Sequence, residues 1–473
     1  MPIWSKRPFI IGFMPRNGLR VFSVLLLIFL AIFTPLVLSG YSEMKKAFAS
    51  TSYTEAAQHY QNAADRLLWR PDLYELSGHA YYYAKDYTQA NAEYQKAFQH
   101  DALSPDGWVA WGDVNYLKDD QRRATEIWQQ ALEKKNPSDH LYSRLAQIYQ
   151  SNGNYSKAAQ YLEKYASAHS EEASAHYRLG LLLTLTDSDR ALSELIQAAQ
   201  LDPQFDPAAE TLRSALNLAS PNDSDSARLV LTGRGLGLVN EWQLARAAFA
   251  SAVKADEKNA EAWAWLGEAN QQTDGAGDAD LDRALRLNPD SPIVRGLRGL
   301  HFQRIGNFRQ ALEEFQYAAK LQPKDPTWLV SIGETHAKLG DLIQALKDYQ
   351  SATTLAPKDP NYWRLLAIFC AQNNINIKDI GLPAAQKALI LGKLDTNSLD
   401  VLGWLLMLAN RYKEAERMLN HALELDPQNS SAHLHVGLLY LQTDNRTSAY
   451  DHLMKSRELG NSEASTLLEQ FFP

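Results

Sequence analysis

Two hydrophobic patterns divide the chain. From Val21 to Leu38, 14 of 18 residues are Leu, Ile, Val or Phe, and no charge falls between Arg20 and Glu43. Those 22 uncharged residues would reach about 33 Å as a helix, the hydrocarbon thickness of a bilayer. Past this segment the apolar positions recur at spacings of three and four, which predicts amphipathic helices. A small residue in an apolar setting then returns with a longer period. Gly78, Gly112, Ala146 and Gly180 are each 34 residues apart, and Gly233, Gly267, Gly299, Gly333, Ala367, Gly403 and Gly437 follow at 34, 32, 34, 34, 36 and 34.

Each small residue is followed by an Ala, then an aromatic or Leu four residues on, then a second Ala three residues later. Examples are Ala90-Tyr94-Ala97, Ala124-Trp128-Ala131, Ala245-Phe249-Ala252, Ala311-Phe315-Ala318, Ala345-Tyr349-Ala352 and Ala415-Leu419-Ala422. This spacing places the three on one stripe of a second helix, and the small residue lets the partner backbone approach closely. Pro203, Pro289, Pro323, Pro357 and Pro427 end the units, because the residue before a proline is pushed out of the α region. Two antiparallel helices per unit are predicted.

The pattern resembles the tetratricopeptide repeat (TPR) family, whose signature spaces Trp, Leu-Gly, Tyr, Ala, Phe and Pro over about 34 residues. Trp263-Ala264-Trp265-Leu266-Gly267 and the series Gly299, Gly306, Phe308, Ala311, Phe315, Ala318, Pro323 carry the resemblance, which runs over residues 52–463. It implies an all-α, right-handed superhelical solenoid of about 11 helix pairs, here preceded by one transmembrane helix. Two loops are expected where the period shifts, at Asp274 to Gly277 and at Asn373 to Gly381. Gly180 and Gly233 are 53 residues apart, so the array is interrupted once, by a decayed repeat or by a hinge. The expected order is a basic cytoplasmic leader at 1–20, a signal anchor at 21–42, a linker and first capping helix at 43–70, and a first array at 71–204. A degenerate repeat or hinge at 205–225, a second array at 226–463 and the end of a capping helix at 464–473 follow.

A retained anchor is preferred to a cleaved signal peptide. The apolar run is long, Leu38-Ser39-Gly40 is a poor cleavage site, and Ala47-Phe48-Ala49 lies beyond Lys45 and Lys46. Lys6, Arg7, Arg16 and Arg20 precede the span and favour a cytoplasmic N-terminus with the repeats outside, periplasmic if the source is bacterial. The sequons beginning at Asn154, Asn222, Asn429 and Asn445 are expected to carry no glycan in that setting. Composition changes the picture only by exclusion. The chain carries a net charge of −8, and the leader is basic without an acid, so the remainder is more acidic still and nucleic acid is not an expected partner. Its single cysteine, Cys370, rules out a disulfide framework, a CxxC pair and a cysteine-built zinc site within one chain.

Catalytic motifs are absent from the sequence, so no enzyme activity and no cofactor is expected. Gly233-Arg234-Gly235-Leu236-Gly237 lacks the spacing and the preceding strand of a dinucleotide loop and reads as a packing face. Asp278-Ala279-Asp280-Leu281-Asp282 lacks the Gly and closing Glu of a calcium loop and reads as acidity at a helix start. His433 and His435, two apart on a helix, point to different faces. Cys370 falls on an apolar stripe and reads as a buried small hydrophobe.

In the family the resemblance names, first helices line a concave groove that takes protein segments. Position matching puts Asp72, Glu75, His79, Tyr82, Tyr83, Asp106, Asp113 and Tyr116 on that face in the first two units, an acidic and aromatic lining suited to a basic or aromatic segment. The Lys and Asn that chaperone-binding members use to grip a terminal carboxylate are missing. Arg304, Lys338 and Arg364 form a basic stripe with Arg295 and Arg298 nearby; it is either a site for an acidic segment or a set of locally paired charges. Ile368, Trp404, Met407, Leu434, Leu438 and Leu441 face inward in the last units, as a hydrophobic groove or as a bed for Leu467, Leu468 and Phe471. The function expected is a membrane-tethered scaffold or adaptor in assembly, secretion or envelope biogenesis. It would hold a protein partner in its groove and touch lipid through 21–42. The alternatives are a constitutive subunit of a membrane complex, or the non-catalytic arm of a glycosyltransferase or polysaccharide-synthesis system. The CxxC module of the anchored TPR regulator of lipopolysaccharide synthesis is absent.

Overall fold

A computed structural model describes residues 16–220 and 223–472. Lys6 and Arg7 of the expected leader, and Pro221-Asn222 of the expected hinge, lie outside the described residues. Among the described residues there are 26 α-helices and no strand. The chain forms two compact units, Met1–Arg213 and Ser214–Pro473. The first contains α1 (Arg16–Ala49), α2 (Tyr53–Arg66), α3 (Asp72–Tyr83), α4 (Tyr87–Gln99), α5 (Pro105–Leu117), α6 (Gln121–Leu132), α7 (His140–Ser151), α8 (Tyr155–Ala168), α9 (Ala173–Leu183) and α10 (Ser188–Leu201); α11 (Asp206–Asn217) crosses the boundary. The second contains α12 (Asp225–Leu238), α13 (Trp242–Ala255), α14 (Ala260–Thr273), α15 (Asp278–Leu287), α16 (Pro292–Arg304), α17 (Phe308–Leu321), α18 (Pro326–Lys338) and α19 (Leu342–Leu355). After these come α20 (Pro360–Gln372), α21 (Leu382–Leu391), α22 (Thr396–Leu408), α23 (Tyr412–Leu425), α24 (Ser430–Gln442), α25 (Arg446–Glu458) and α26 (Ser462–Phe471). The pairs from α3/α4 to α9/α10 and from α12/α13 to α24/α25 number 11, as the period predicts.

In five pairs a glycine of the first helix meets an aromatic ring of the second, and in four more it meets a Leu. A Cβ on Gly112 would lie 1.9 Å from the Trp128 indole nitrogen, and one on Gly233 or Gly299 would lie 2.5 Å from Phe249 or Phe315. Gly78 meets Tyr94 in the same way at 2.9 Å. The Gly233 to Gly237 run is therefore the packing face its helical setting implied. In six of the 11 pairs the chain reverses through one left-handed residue followed by an Asp or Asn cap. Gly153, Gly306 and Gly340 take positive φ before Asn154, Asn307 and Asp341, whose side chains accept from the amides of Lys157, Gln310 and Gln344. Such a cap satisfies an orphan amide of the first helical turn. Lys85 holds the same conformation at φ 61° without a glycine's freedom.

Within each unit, first helices touch the next first helix, as in α3 with α5, α12 with α14 and α22 with α24. No contact of similar extent joins successive second helices among the described residues. First helices are thus the more crowded layer, which makes their exposed side the inner one. The expected loop at 274–277 is present, whereas residues 377–381 of the lengthened unit wind into a short π-helix, with Asn374 and Asn376 in the left-handed region before it.

The anchor segment differs from the expected outline. Residues 43–49, placed in a linker, continue α1, which is one helix of 34 residues through Pro35. Val21 to Leu36 is exposed throughout. Val37 and Met44 pack against the cluster of Ala63, Ala64, Leu67 and Leu73, and a Cβ on Gly40 would meet Leu67 at 2.5 Å. Val37, Gly40, Met44 and Ala47 recur at spacings of three and four, one helical stripe laid on α2.

Candidate partner-binding face

The inner face of the first unit is built by α3, α5 and α7. Tyr82, Asp113, Tyr116, Trp128, Arg144 and Gln147 line a pocket of about 160 Å³ there, so the structure brings together two of the three predicted tyrosines. Tyr83 stands beside it, 61% exposed, edge-on to Tyr82 at 5.6 Å and 5.4 Å from Tyr53. Tyr116 packs at 6.2 Å from Trp128, the ring that fills the gap over Gly112.

The acids of this face are mostly engaged. Arg144 donates from Nε and Nη2 to the two oxygens of Asp113 at 2.7 and 2.9 Å. This two-pronged bond fixes both side chains and raises the guanidinium pKa against the opposing effect of burial. Burial first, and Asp113 second, push the Tyr82 phenol up. Glu75 is buried and receives the Ser104 amide at 2.6 Å and the Ser104 hydroxyl at 2.5 Å, with His79 at 3.3 Å. Burial alone would raise its carboxyl; the bonds from His79 and Ser104 outweigh it and hold the group below the ordinary range. His79 receives the Tyr94 hydroxyl on Nδ1 at 2.8 Å, which leaves its other nitrogen to donate to Glu75. Asp72 pairs with Arg70 at 2.7 Å, and Asp106 accepts from Ser138 at 3.3 Å. The face presents aromatic rings and hydroxyls more than free negative charge.

In the second unit both arginines of the basic stripe are paired within the scaffold. Arg304 meets Glu268 of α14 at 2.5 Å and also bonds Gln271. Arg364 meets Asp395, the cap of α22, at 3.3 Å and Asn361 at 2.6 Å. Arg295 lies 2.9 Å from Glu314 and 4.1 Å over the Tyr317 ring, and Arg298 lies 3.5 Å from Asp282. Lys338 is exposed and makes no ion pair among the described residues. His301 at 2.6 Å from Asp278, and Asn270 at 2.7 Å from Asp280, likewise account for the acids that start α15.

The inward apolar set of the last units is largely interior. Met407 is 2% exposed, because α20, α21, α23 and α24 surround α22, and Leu434 is 5% exposed, packed against Leu453, Ala464 and Leu468; Met407 is a core residue rather than a contact for a partner. Trp404 is half-buried and stacks on His435 at 4.6 Å. Leu438 and Leu441 pack in a cluster with Leu467, Leu468 and Phe472 of the terminal segment, so the chain covers this patch itself. Phe472 takes the place expected for Phe471. His435 bonds Asp400 at 2.7 Å while His433 meets His452 at 3.0 Å, on different faces as the spacing required. Cys370 is buried, and burial pushes its thiol up to about 11.

One cluster had no signal in the repeat frame. Tyr149 and Tyr161 stack at 5.5 Å with planes 5° apart, Tyr142 lies 6.5 Å from Tyr161, and Lys157 and Lys164 sit over Tyr149 and Tyr142 at 5.1 and 5.5 Å. Tyrosine and lysine spaced by three and four on α8 were the only hint.

Eleven helix pairs, nine of them closed by a glycine against a larger residue, with a crowded layer of first helices, define a helical-repeat solenoid. Tetratricopeptide repeat models match residues 143–221, 236–292, 297–374 and 397–429, more than half of the sequence, and the chain belongs to the tetratricopeptide repeat family. No curated protein sequence matches it. Among solved structures, yeast Tom70 is similar at 18% identity, covering 93% of this chain and 95% of that one with a TM-score of 0.43. Cut9 in its APC/C hetero-tetramer with Hcn1 is similar at 15% identity, covering 95% and 98% with a TM-score of 0.39. YrrB, described as a TPR protein with an unusual peptide-binding site, is 18% identical over 40% of this chain and 98% of its own, with a TM-score of 0.30.

Proposed function

We propose that this protein is a membrane-anchored scaffold whose first unit holds an extended segment of a partner protein against Tyr82, Tyr83 and Tyr116. The observation that carries the reading is the pocket between α3, α5 and α7, where tyrosines gather around the Asp113–Arg144 bond. Rigid aromatic rings supply contact area at low entropic cost and are enriched where proteins bind. Since the nearby acids are engaged, the partner segment is better matched by apolar and aromatic side chains than by basic ones. The exposed apolar run of α1 supports anchorage, with the N-terminus in the cytoplasm and the repeats outside it. The stripe of Arg304, Lys338 and Arg364 is read as scaffold charge, with Lys338 its one exposed cation outside an ion pair among the described residues.

The test is photocrosslinking in native membranes from position 83, compared with position 122 on the second helix α6, whose side chain is exposed. A defined adduct from 83, lost when Tyr82 and Tyr116 are both replaced by Ala in a folded protein, is expected. Equal adducts from both positions, or an adduct indifferent to the tyrosines, would overturn the assignment.

A further inference from the structure

The turn between α2 and α3 carries an exposed apolar pair that the repeat does not explain. Leu67 points into the core and is fully buried, while Leu68 is 77% exposed and Trp69 46% exposed. Trp69 does not project into open space: its ring lies 5.5 Å from that of Phe33, inside the apolar run of α1. Phe33 is one helical turn before Val37, so it extends the stripe by which α1 packs on the first unit. Packing on the first unit begins at Val37, so the fully exposed length of α1 closes at Leu36, and the turn sits beside Phe33, about 5 Å inside that end.

If α1 spans a bilayer, that height falls within the zone where acyl chains meet headgroups. Tryptophan favours this zone because its ring is apolar and its N–H needs a polar neighbour. Arg70 follows directly and lies 2.7 Å from Asp72, a charge pair at the level expected for headgroups. We propose that Leu68 and Trp69 insert into the phospholipid interface, giving the first unit a second membrane contact beside its anchor. This rests on the reading of α1 as a membrane span. The occupant is lipid rather than a protein partner because the exposed surface is continuous with the exposed apolar face of α1, with no polar belt between Phe33 and Trp69.

Cys370 is buried, so a cysteine introduced elsewhere is the accessible thiol of the full-length protein. Leu68→Cys, Val24→Cys and Lys118→Cys, each carrying an environment-sensitive fluorophore, would be reconstituted in phosphatidylcholine–phosphatidylglycerol vesicles with nitroxide placed near the headgroup end of the acyl chain. Quenching at 68 several-fold above that at 118, together with quenching at 24, is expected. Quenching at 24 but not at 68 would overturn the second contact and leave the anchor standing. Quenching at neither would remove the anchor and the proposal together. Leu68 is exposed, so this labelled variant should retain the helical circular dichroism of the parent.

Discussion

The same helix-pair frame carries two unlike inner faces. Between α3, α5 and α7 one charge pair closes beside half-buried Tyr82 and Tyr116 and exposed Tyr83; between α14 and α22 cations recur down the array and both stripe arginines reach an acid on or capping an adjoining first helix. The difference shows what the repeat constrains and what it leaves open. Between the helices of a pair, glycine must meet a large ring or Leu, and almost nothing else fits. On the inner face any residue that does not clash is allowed, so local chemistry there is free to diverge. Charges about one period apart become neighbours on adjacent first helices, which is why Asp113–Arg144, Glu268–Arg304 and Arg364–Asp395 span 31, 36 and 31 residues.

The largest effects should come from breaking the shared frame. Gly112→Leu should destabilise the protein by about 3 kcal/mol or more, since even a methyl group would overlap the Trp128 indole, and overpacking alone costs about 1 to 3 kcal/mol. Gly299→Leu should cost less and Gly333→Leu least, because the Cβ positions lie 1.9, 2.5 and 3.1 Å from their rings. Gly333→Ala should be near neutral, as about 1 kcal/mol of helix propensity offsets a mild contact. Denaturant unfolding reads this order, and equal costs at the three sites would refute the ring-distance account.

Breaking the charges should separate the two faces. Asp113→Ala leaves a half-buried Arg144 unpaired and should cost about 1 to 2 kcal/mol, and Arg304→Gln, which leaves the buried Glu268 without its cation, should cost at least as much. Changing Arg304, Lys338 and Arg364 together to Gln should leave partner capture intact. Capture lost by the folded protein would make the stripe a site.

A smaller effect is tied to pH and to the second unit. Burial lowers the pKa of His433 and of His452, and His433 lowers that of His452 further. Their folded values lie below the unfolded value of about 6.5, so the unfolded chain binds more protons in the interval between. Stability is then full above that value and declines as pH falls through the lowered ones. Melting temperature measured from pH 7 to pH 5 should fall, and His452→Gln should flatten that slope; an unchanged slope would detach the pair from acid sensitivity. The smallest predicted change is a gain. Lys85→Gly relieves a left-handed lysine and should stabilise by up to about 1 kcal/mol, with the larger freedom of glycine in the unfolded chain taking back part of it.

Much of this fold was legible because the Gly-to-ring pairing is written at a fixed interval, and Gly299 with Phe315 could be matched before any coordinate was known. The extent of α1 was not. Glu43, Lys45 and Lys46 end an apolar count, but helix formation tolerates lysine and glutamate, and only packing of Gly40 on Leu67 shows that the helix runs on. Tyr82, Tyr83 and Tyr116 were found by position in the frame, while the engagement of Asp113 needed Arg144, a partner in the next unit. Met407 was misplaced because α22 is apolar on nearly every side, so periodicity alone gives no direction to its faces. The sharing of Leu438 and Leu441 with Phe472 depends on how the terminal helix docks, which no interval in the repeat records.

The unbroken run of α1 gives the first unit a heading as well as a height. Phe33, Val37, Gly40, Met44 and Ala47 hold one azimuth on a helix that turns by about 100° per residue, so the array is keyed to the anchor like a blade to its shaft. If α1 spans a bilayer as proposed, whatever grips its outward-facing turns there also chooses the compass direction in which the tyrosines look. One residue inserted after Leu36 would swing that direction by about a quarter turn without altering a single residue of the face.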